Sequence, residues 1–173
     1  TNSHLTVLAE DDAGLSSVPT VMRMWAPRGH QPKIPTRTAK RQRVTLFGAV
    51  NLVTGRESSA VADRGNSETF RTFLDQLVTE YPTQTLVILL DNVRFHHARI
   101  LKTDWFPSHP QVRFVFLPAY SPDLNPQEWV WKAMRADVTH NTYYEDFADE
   151  VHDAEQFLAS YCHPTTDRSW RII

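Results

Sequence analysis

Residues 117–131 read Leu-Pro-Ala-Tyr-Ser-Pro-Asp-Leu-Asn-Pro-Gln-Glu-Trp-Val-Trp. An apolar run, Val112 to Leu117, leads into them. The stretch therefore predicts a strand leaving a sheet, a loop set by Pro118, Pro122 and Pro126, and then a helix. Asn125 is a suitable N-cap, Pro126 suits the first helical position, and Glu128 falls at the third. The positive end of the helix dipole favours a carboxylate there. Two readings of Glu128 stand side by side. In one it closes a capping box by reaching back to the backbone N–H of Asn125. In the other it is a carboxylate on a rigid element aimed at a metal ion. The positions of the other carboxylates decide between them.

Upstream, Leu86-Val-Ile-Leu-Leu90 is five apolar residues in a row, as expected of a central strand buried on both faces, and it delivers Asp91 and Asn92 at its end. Leu5 to Ala9 predicts a short buried strand that carries Glu10, Asp11 and Asp12 at its C-terminal end, with Gly14 closing it. Val44–Val53 predicts a second strand, and Asn51–Gly55 a hairpin turn into a third at about 57–62. A helix capped by Asn66 or Ser67 runs to about Tyr81, with Phe70, Phe73, Leu74, Leu77, Val78 and Tyr81 as its apolar stripe. His96 to about Trp105 reads as a short helix, and about 143–161 as the last one. This order implies an α/β fold, a mixed five-stranded sheet with helices on both faces. In such open sheets, functional groups collect beyond the carboxyl ends of the strands.

The chain has 173 residues, 41% hydrophobic and 22% charged, which suits one globular domain with a sizeable core. No run is long enough for a membrane span, and residues 1–10 do not resemble a signal peptide. The single Cys162 leaves no internal disulfide and no cysteine-based zinc site; it reads as a small hydrophobe near the last helix. A reducing, cytoplasmic setting fits. The net charge of −2 hides a segregation. Between Ala13 and Arg56 there is no acid, while Arg28, Lys33, Arg37, Lys40, Arg41 and Arg43 all lie there. Prolines at 19, 27, 32 and 35 make about 16–43 a long arm, with room for a short edge strand at Val21–Trp25. Its cations suit a polyanion, whereas 136–167 is acidic and keeps the other side solvated. Two ordinary solvated faces would read the same way on charge alone.

Asp11, Asp91 and Glu128 thus occupy comparable places at element ends. Hard oxygen ligands without His or Cys suit Mg²⁺ or Mn²⁺ and not zinc. Two such ions about 4 Å apart can activate a water or a 3′-hydroxyl and stabilise the leaving oxygen of a phosphodiester.

Five segments, taken together, resemble the catalytic domain of mariner-like transposases, in particular the bacterial insertion-sequence branch. They are Glu10–Leu15, Trp25–Pro32, Phe47–Val50 with Thr54-Gly55, Leu90–Ala98 and Leu117–Trp131, in the family's order over roughly residues 5–140. The resemblance implies a ribonuclease-H-like fold, and a catalytic triad of Asp11, Asp91 and Glu128 that binds two Mg²⁺ or Mn²⁺ ions. It implies hydrolytic nicking of DNA at transposon ends and strand transfer into target DNA, by a homodimer formed on DNA at the nucleoid. The family has Asp-Glu where this chain has Asp11-Asp12, so the first ligand is open between these two. His96 matches a recurrent family position and is read as a phosphate contact, a ligand-orienting residue or a packed histidine. Arg28, Lys33, Arg37, Lys40, Arg41 and Arg43 correspond to an arm that reaches DNA and a partner subunit, and Trp25 is expected to anchor it. Relatives carry N-terminal helix-turn-helix modules; residues 1–173 read as the catalytic domain without them, with poor sequence specificity of its own. A ribonuclease H or resolvase on the same fold, or an inactive DNA-binding relative, are the competing readings.

Overall fold

A computed structural model describes residues 4–36, 41–119 and 121–162. Five strands, β1 (Leu5–Ser16), β2 (Arg43–Asn51), β3 (Glu57–Ala62), β4 (Thr85–Leu90) and β5 (Val112–Phe116), form one sheet in the order β3-β2-β1-β4-β5. β1, β2 and β3 pair antiparallel, and β4 and β5 join parallel to β1. This is the mixed sheet the sequence predicts, with helices on both faces, and it is consistent with a ribonuclease-H-like architecture. Among the described residues no helix is long and apolar enough to cross a membrane.

Strand alternation divides the core in two. On one face Leu8, Phe47, Leu86, Ile88 and Leu90 meet Phe70, Phe73, Leu74 and Leu77 of α1 (Ser67–Glu80), together with Leu101 and Trp105. On the other, Ala9, Ala13, Leu15, Leu46 and Val50 meet α3 (Gln127–Met134) through Val130, Trp131 and Met134. They also meet α4 (Phe147–Ser160) through Phe147, Ala154 and Leu158. Each fully buried large side chain contributes about 1.5–3 kcal/mol. β4 is apolar from Leu86 to Leu90, with Leu86, Ile88 and Leu90 buried on the α1 face and Val87 and Leu89 only partly covered on the other, so the expectation of burial on both faces holds for one.

Local chemistry sets the element ends. Asn66 Oδ1 accepts from the backbone N–H groups of Glu68 and Thr69, and the Thr69 side chain accepts from Asn66 N–H, a complete capping box for α1. Asn51 Oδ1 accepts from Val53 and Thr54 N–H, and Gly55, at φ 74°, turns the chain from β2 into β3. The last helix starts later than the apolar pattern implies, because Asp146 caps it by accepting from Ala148 N–H at 3.1 Å.

Other expectations are corrected. β1 does not end at Ala9. Nine β1–β2 pairs, Leu8↔Asn51 to Ser16↔Arg43, carry it through the acids to Ser16, since β2 satisfies its backbone on one side after β4 has ended. The helix expected from His96 to Trp105 starts later and runs further: a 3₁₀ turn, Arg94–His97, comes first, and helical turns follow from residue 99, π-helical over Leu101–Trp105 and continued by the short α2 (Phe106–Ser108). The arm has no edge strand at Val21–Trp25; it is pinned instead where Thr20 bridges His140 and Met22 N–H reaches Asn141 Oδ1 at 2.9 Å. Trp25 is fully exposed and anchors nothing among the described residues, because no element packs beside it. Cys162 is exposed too, not a packed hydrophobe.

Candidate active site

The three sequence-predicted carboxylates come from three elements and line one cavity of about 400 Å³, with Asn92, Val93, Leu117, Pro118, Ala119, Ser121 and Asn125. β1 and β4 run parallel with Ala9 opposite Leu89. Two residues further along the same register, Asp11 comes level with Asp91, the first residue past β4. The residue after β5, Leu117, donates its N–H to Leu90 O at 2.9 Å, and Asn92 Nδ2 donates to Leu117 O at 2.7 Å. These bonds tie the proline loop across the end of β4.

α3 is held against β1 by Asn125, which is buried. Its Oδ1 accepts from Gln127 N–H at 3.2 Å, the predicted capping bond, and its Nδ2 donates to Glu10 O at 2.8 Å. The helix is assigned one residue later than expected, from Gln127, but the capping chemistry is as the sequence predicts. The capping box is not formed. Among the described residues the Glu128 carboxylate accepts no hydrogen bond, and it lies close enough to Asp11 to raise that residue's pKa.

The period-2 alternation of β1 separates the three consecutive acids. Asp11 shares the face of Ala9 and Ala13 and meets α3, where Trp131 Nε1 donates to its Oδ2 at 3.0 Å. Asp12 is not among the residues lining the cavity. It lies on the opposite face, toward Gly65, with Arg43 as its nearest favourable charge. Burial, then Glu128, Asp12 and Asp91, push Asp11 up to about 7, against the Trp131 bond. Burial also raises Asp12.

Glu10 shares the face of Leu8, is completely buried, and neither of its carboxyl oxygens has a hydrogen-bond partner among the described residues. Its polar neighbour is His96 Nε2, 3.6 Å from Oε2. His96 Nδ1 in turn lies 3.1 Å from Asp91 O and 3.3 Å from Asp91 Oδ1. Burial, with Asp11, Asp12 and Asp91 nearby, holds Glu10 well above the usual carboxylate range, and burial lowers His96. Each shift disfavours the charged form, so burial works against a Glu10–His96 ion pair. His96, 2% exposed and packed on Phe70 at 4.4 Å between ring centroids, does not present itself to a phosphate. The ligand-orienting reading fits its geometry.

Of the arm cations, Arg28, Lys33, Arg41 and Arg43 are exposed, while Arg37 and Lys40 lie outside the described residues. Among the described residues no three Asp, Glu, His or Cys side chains are arranged to hold a metal ion as they stand. The charged groups that line the cavity are nevertheless all carboxylates, and the mutual repulsion at Asp11 is of the kind a cation relieves.

Sequence reasoning missed a buried layer next to this cavity. Gln127, fully buried, donates from Nε2 to Glu57 Oε1 at 2.7 Å. Both residues and Trp131 crowd over Gly48, the β2 residue paired with Asp11. A glycine inside a predicted strand was the available signal, since it marks a close approach. Nothing in the sequence singled out Glu57.

Over 136 residues the chain is 28% identical to an uncharacterised 39 kDa protein of insertion element IS630 from Shigella sonnei, covering 78% of this chain but only 39% of that protein. Its fold is similar to the Mos1 transposase paired-end complex with the left transposon end, with a TM-score of 0.66 and 16% identity over 95% of this chain and 50% of that one. It is also similar to the Mos1 mariner paired-end complex with Mn, with a TM-score of 0.64 and 15% identity over 90% of this chain and 48% of that one. The model of the DDE superfamily endonucleases matches residues 6–149, and the chain belongs to that family.

Proposed function

We propose that this chain is the catalytic core of a DNA transposase, with Asp11, Asp91 and Glu128 as its metal-binding carboxylates. The observation that carries the reading is their convergence on one cavity from β1, the end of β4 and the first turn of α3. Asp11 is preferred to Asp12 because only Asp11 faces α3. Two Mg²⁺ or Mn²⁺ ions bound there would polarise a phosphodiester and activate the attacking oxygen. The chain's own residues do the positioning. Trp131 fixes one oxygen of Asp11, the loop tied by Asn92 and Asn125 fixes where Glu128 enters, and His96 holds Asp91 through its backbone and carboxylate. The substrate is DNA, first transposon ends and then a target, and the working form is a homodimer on DNA. The exposed Arg28, Lys33, Arg41 and Arg43 contact phosphates, which position a duplex without reading its sequence.

Glu128→Gln tests the reading, because it keeps the shape of the side chain and Glu128 caps nothing. The expected result is loss of Mn²⁺-dependent nicking of transposon-end DNA by 10²-fold or more, with no loss of urea stability. Retained nicking would remove Glu128 from the site. In crystals soaked with Mn²⁺, ions within about 2.5 Å of Asp11 and Asp91 are expected; ions bound elsewhere in an ordered site would overturn the assignment. Cleavage of RNA in a hybrid duplex, without any DNA joining, would make the protein a ribonuclease instead.

A further inference from the structure

We propose that Glu57 and Gln127 are paired as carboxylic acid and amide, and that this pair is the anchor which sets Glu128 at the cavity. The inference rests on Glu128 being a catalytic carboxylate. Glu57 does not line the cavity, so it is a positioning residue, acting through the first turn of α3.

Glu57 is 6% exposed and Gln127 not at all. One bond joins them, from Gln127 Nε2 to Glu57 Oε1. The two remaining oxygens, Glu57 Oε2 and Gln127 Oε1, are both buried without a partner among the described residues. Both are acceptors if Glu57 is ionised, and two buried acceptors cannot satisfy each other. A proton on Oε2 turns one of them into a donor, and a carboxylic acid and a primary amide can then share two hydrogen bonds in a ring. One proton resolves both orphaned atoms. The titration behaviour agrees: burial pushes Glu57 up to about 8, with Glu80 adding to it, while hydrogen bonds from Gln127 and the Ala49 backbone oppose it. The charged or titratable groups that act on Glu57 are Glu80 of α1 and Tyr161, just past α4.

The space for the pair is made by Gly48. A Cβ there would come within 2.3 Å of Gln127 Nε2, 2.5 Å of Glu57 Oε1 and 2.7 Å of the Trp131 ring. Trp131, one turn beyond Gln127, donates to Asp11. A single layer therefore runs from Glu57 on β3, over Gly48 on β2, to Asp11 on β1, and it grips α3 at Gln127 and Trp131. Glu128 is the next residue after Gln127, so the grip fixes the roll of the helix that aims it. Misplacing a reacting group by about 1 Å costs on the order of 10²-fold in rate.

The test compares wild type, Glu57→Gln, Glu57→Leu and Glu128→Gln. The readouts are the NMR signal of the Gln127 side-chain NH₂ and Mg²⁺-dependent nicking at pH 7 and pH 9. In wild type the NH₂ signal should be protected at pH 7 and should shift by pH 9, as the Gln127 carbonyl loses the Oε2–H donor and faces a carboxylate, with nicking falling about tenfold between them. Glu57→Gln replaces the acid with an amide that needs no proton. It should keep both the signal and the activity, within about twofold of wild type at pH 7, and should not show the alkaline decline. Glu57→Leu should lose the signal and at least tenfold of nicking at pH 7; if it fails to fold, Glu57→Gln alone decides. The proposal is overturned if Glu57→Gln falls as far as Glu57→Leu at pH 7, or declines toward pH 9 in parallel with wild type. Nicking that survives Glu128→Gln refutes the role of Glu128 instead, and the NH₂ signal then still reports on the pair by itself.

Discussion

Replacing Asp11 with Asn should make the metal-free protein more stable at pH 8. In the fold, burial and the charges of Glu128, Asp12 and Asp91 move the Asp11 carboxyl from 3.8 to about 7. Between those values the folded chain holds a proton that the unfolded chain has lost, so stability falls as pH rises from about 4 to about 7 and stays low above. At 1.36 kcal/mol per pH unit the gap is worth about 4 kcal/mol. Water in the open cavity screens part of it, leaving about 2–3 kcal/mol. Asn cannot ionise and keeps an oxygen to accept from Trp131 Nε1. Urea unfolding in a chelating buffer at pH 4, 6 and 8 measures the effect. The decline from pH 4 to pH 8 should be about 2–3 kcal/mol smaller in the variant, the remainder coming from Glu10, Asp12, Glu57 and Glu150, which are raised in the same direction. Saturating Mg²⁺ should recover the loss in wild type, by about 2.7 kcal/mol at a hundred times its Kd, and should do little for the variant. Equal pH dependence in the two proteins would refute the argument, because Asp11 would then be neither buried nor crowded by charge as described.

Gly48→Ala should cost about 2–4 kcal/mol, adding overpacking to the loss of the Glu57–Gln127 bond, and a urea titration measures it. Phe70→Ala removes a fully buried ring that touches Phe47, Phe95 and His96; the expected loss is about 3–5 kcal/mol, read as a drop of roughly 10 °C or more in Tm. His96→Ala should lower nicking at least tenfold while leaving DNA affinity unchanged in a binding titration, since a buried imidazole makes no phosphate contact. Arg28→Ala with Lys33→Ala should instead weaken DNA binding evenly across sequences and reduce the slope of log affinity against log salt by about 2.

The sheet was legible because its strands differ in ways that position imposes. β4 is apolar from Leu86 to Leu90, with alternate residues buried against α1, and the Asn51–Gly55 turn announces the β2–β3 hairpin. Asp91 and Glu128 were legible for the same reason, one at the end of that run and the other in a helix whose cap is written as Asn125-Pro126. The length of β1 was not. Glu10-Asp-Asp12 looks like the end of a strand, and only pairing with β2, a contact between distant residues, keeps it extended to Ser16. The helix expected at His96–Trp105 is displaced and unevenly wound for a related reason. His96 is held by Asp91 and Phe70, and Trp105 by Asp75 through its Nε1–H at 2.6 Å, so tertiary contacts set the turns. Glu57 carried no local mark, because its partner lies 70 residues away.

Three adjacent acids on one strand illustrate how little a carboxylate's role depends on its own chemistry. Glu10, Asp11 and Asp12 are within a few ångströms along the chain, yet the pleat gives each a different environment. Glu10 meets only an imidazole in a dry core, which disfavours its charged form. Asp11 meets an indole N–H and two other carboxylates around a cavity, the surroundings in which a cation is worth most. Asp12 returns to the first face, but beyond the end of β4, and looks toward Arg43. A slip of one residue in β1 would exchange these environments, moving Asp11 off the face that meets Trp131 and the cavity. The register therefore has to be fixed by something other than the acids. It is fixed by Leu8 on one face and Ala9, Ala13 and Leu15 on the other, all buried, and by nine backbone pairs with β2. The apolar residues on either side of the acids decide which of them faces the cavity.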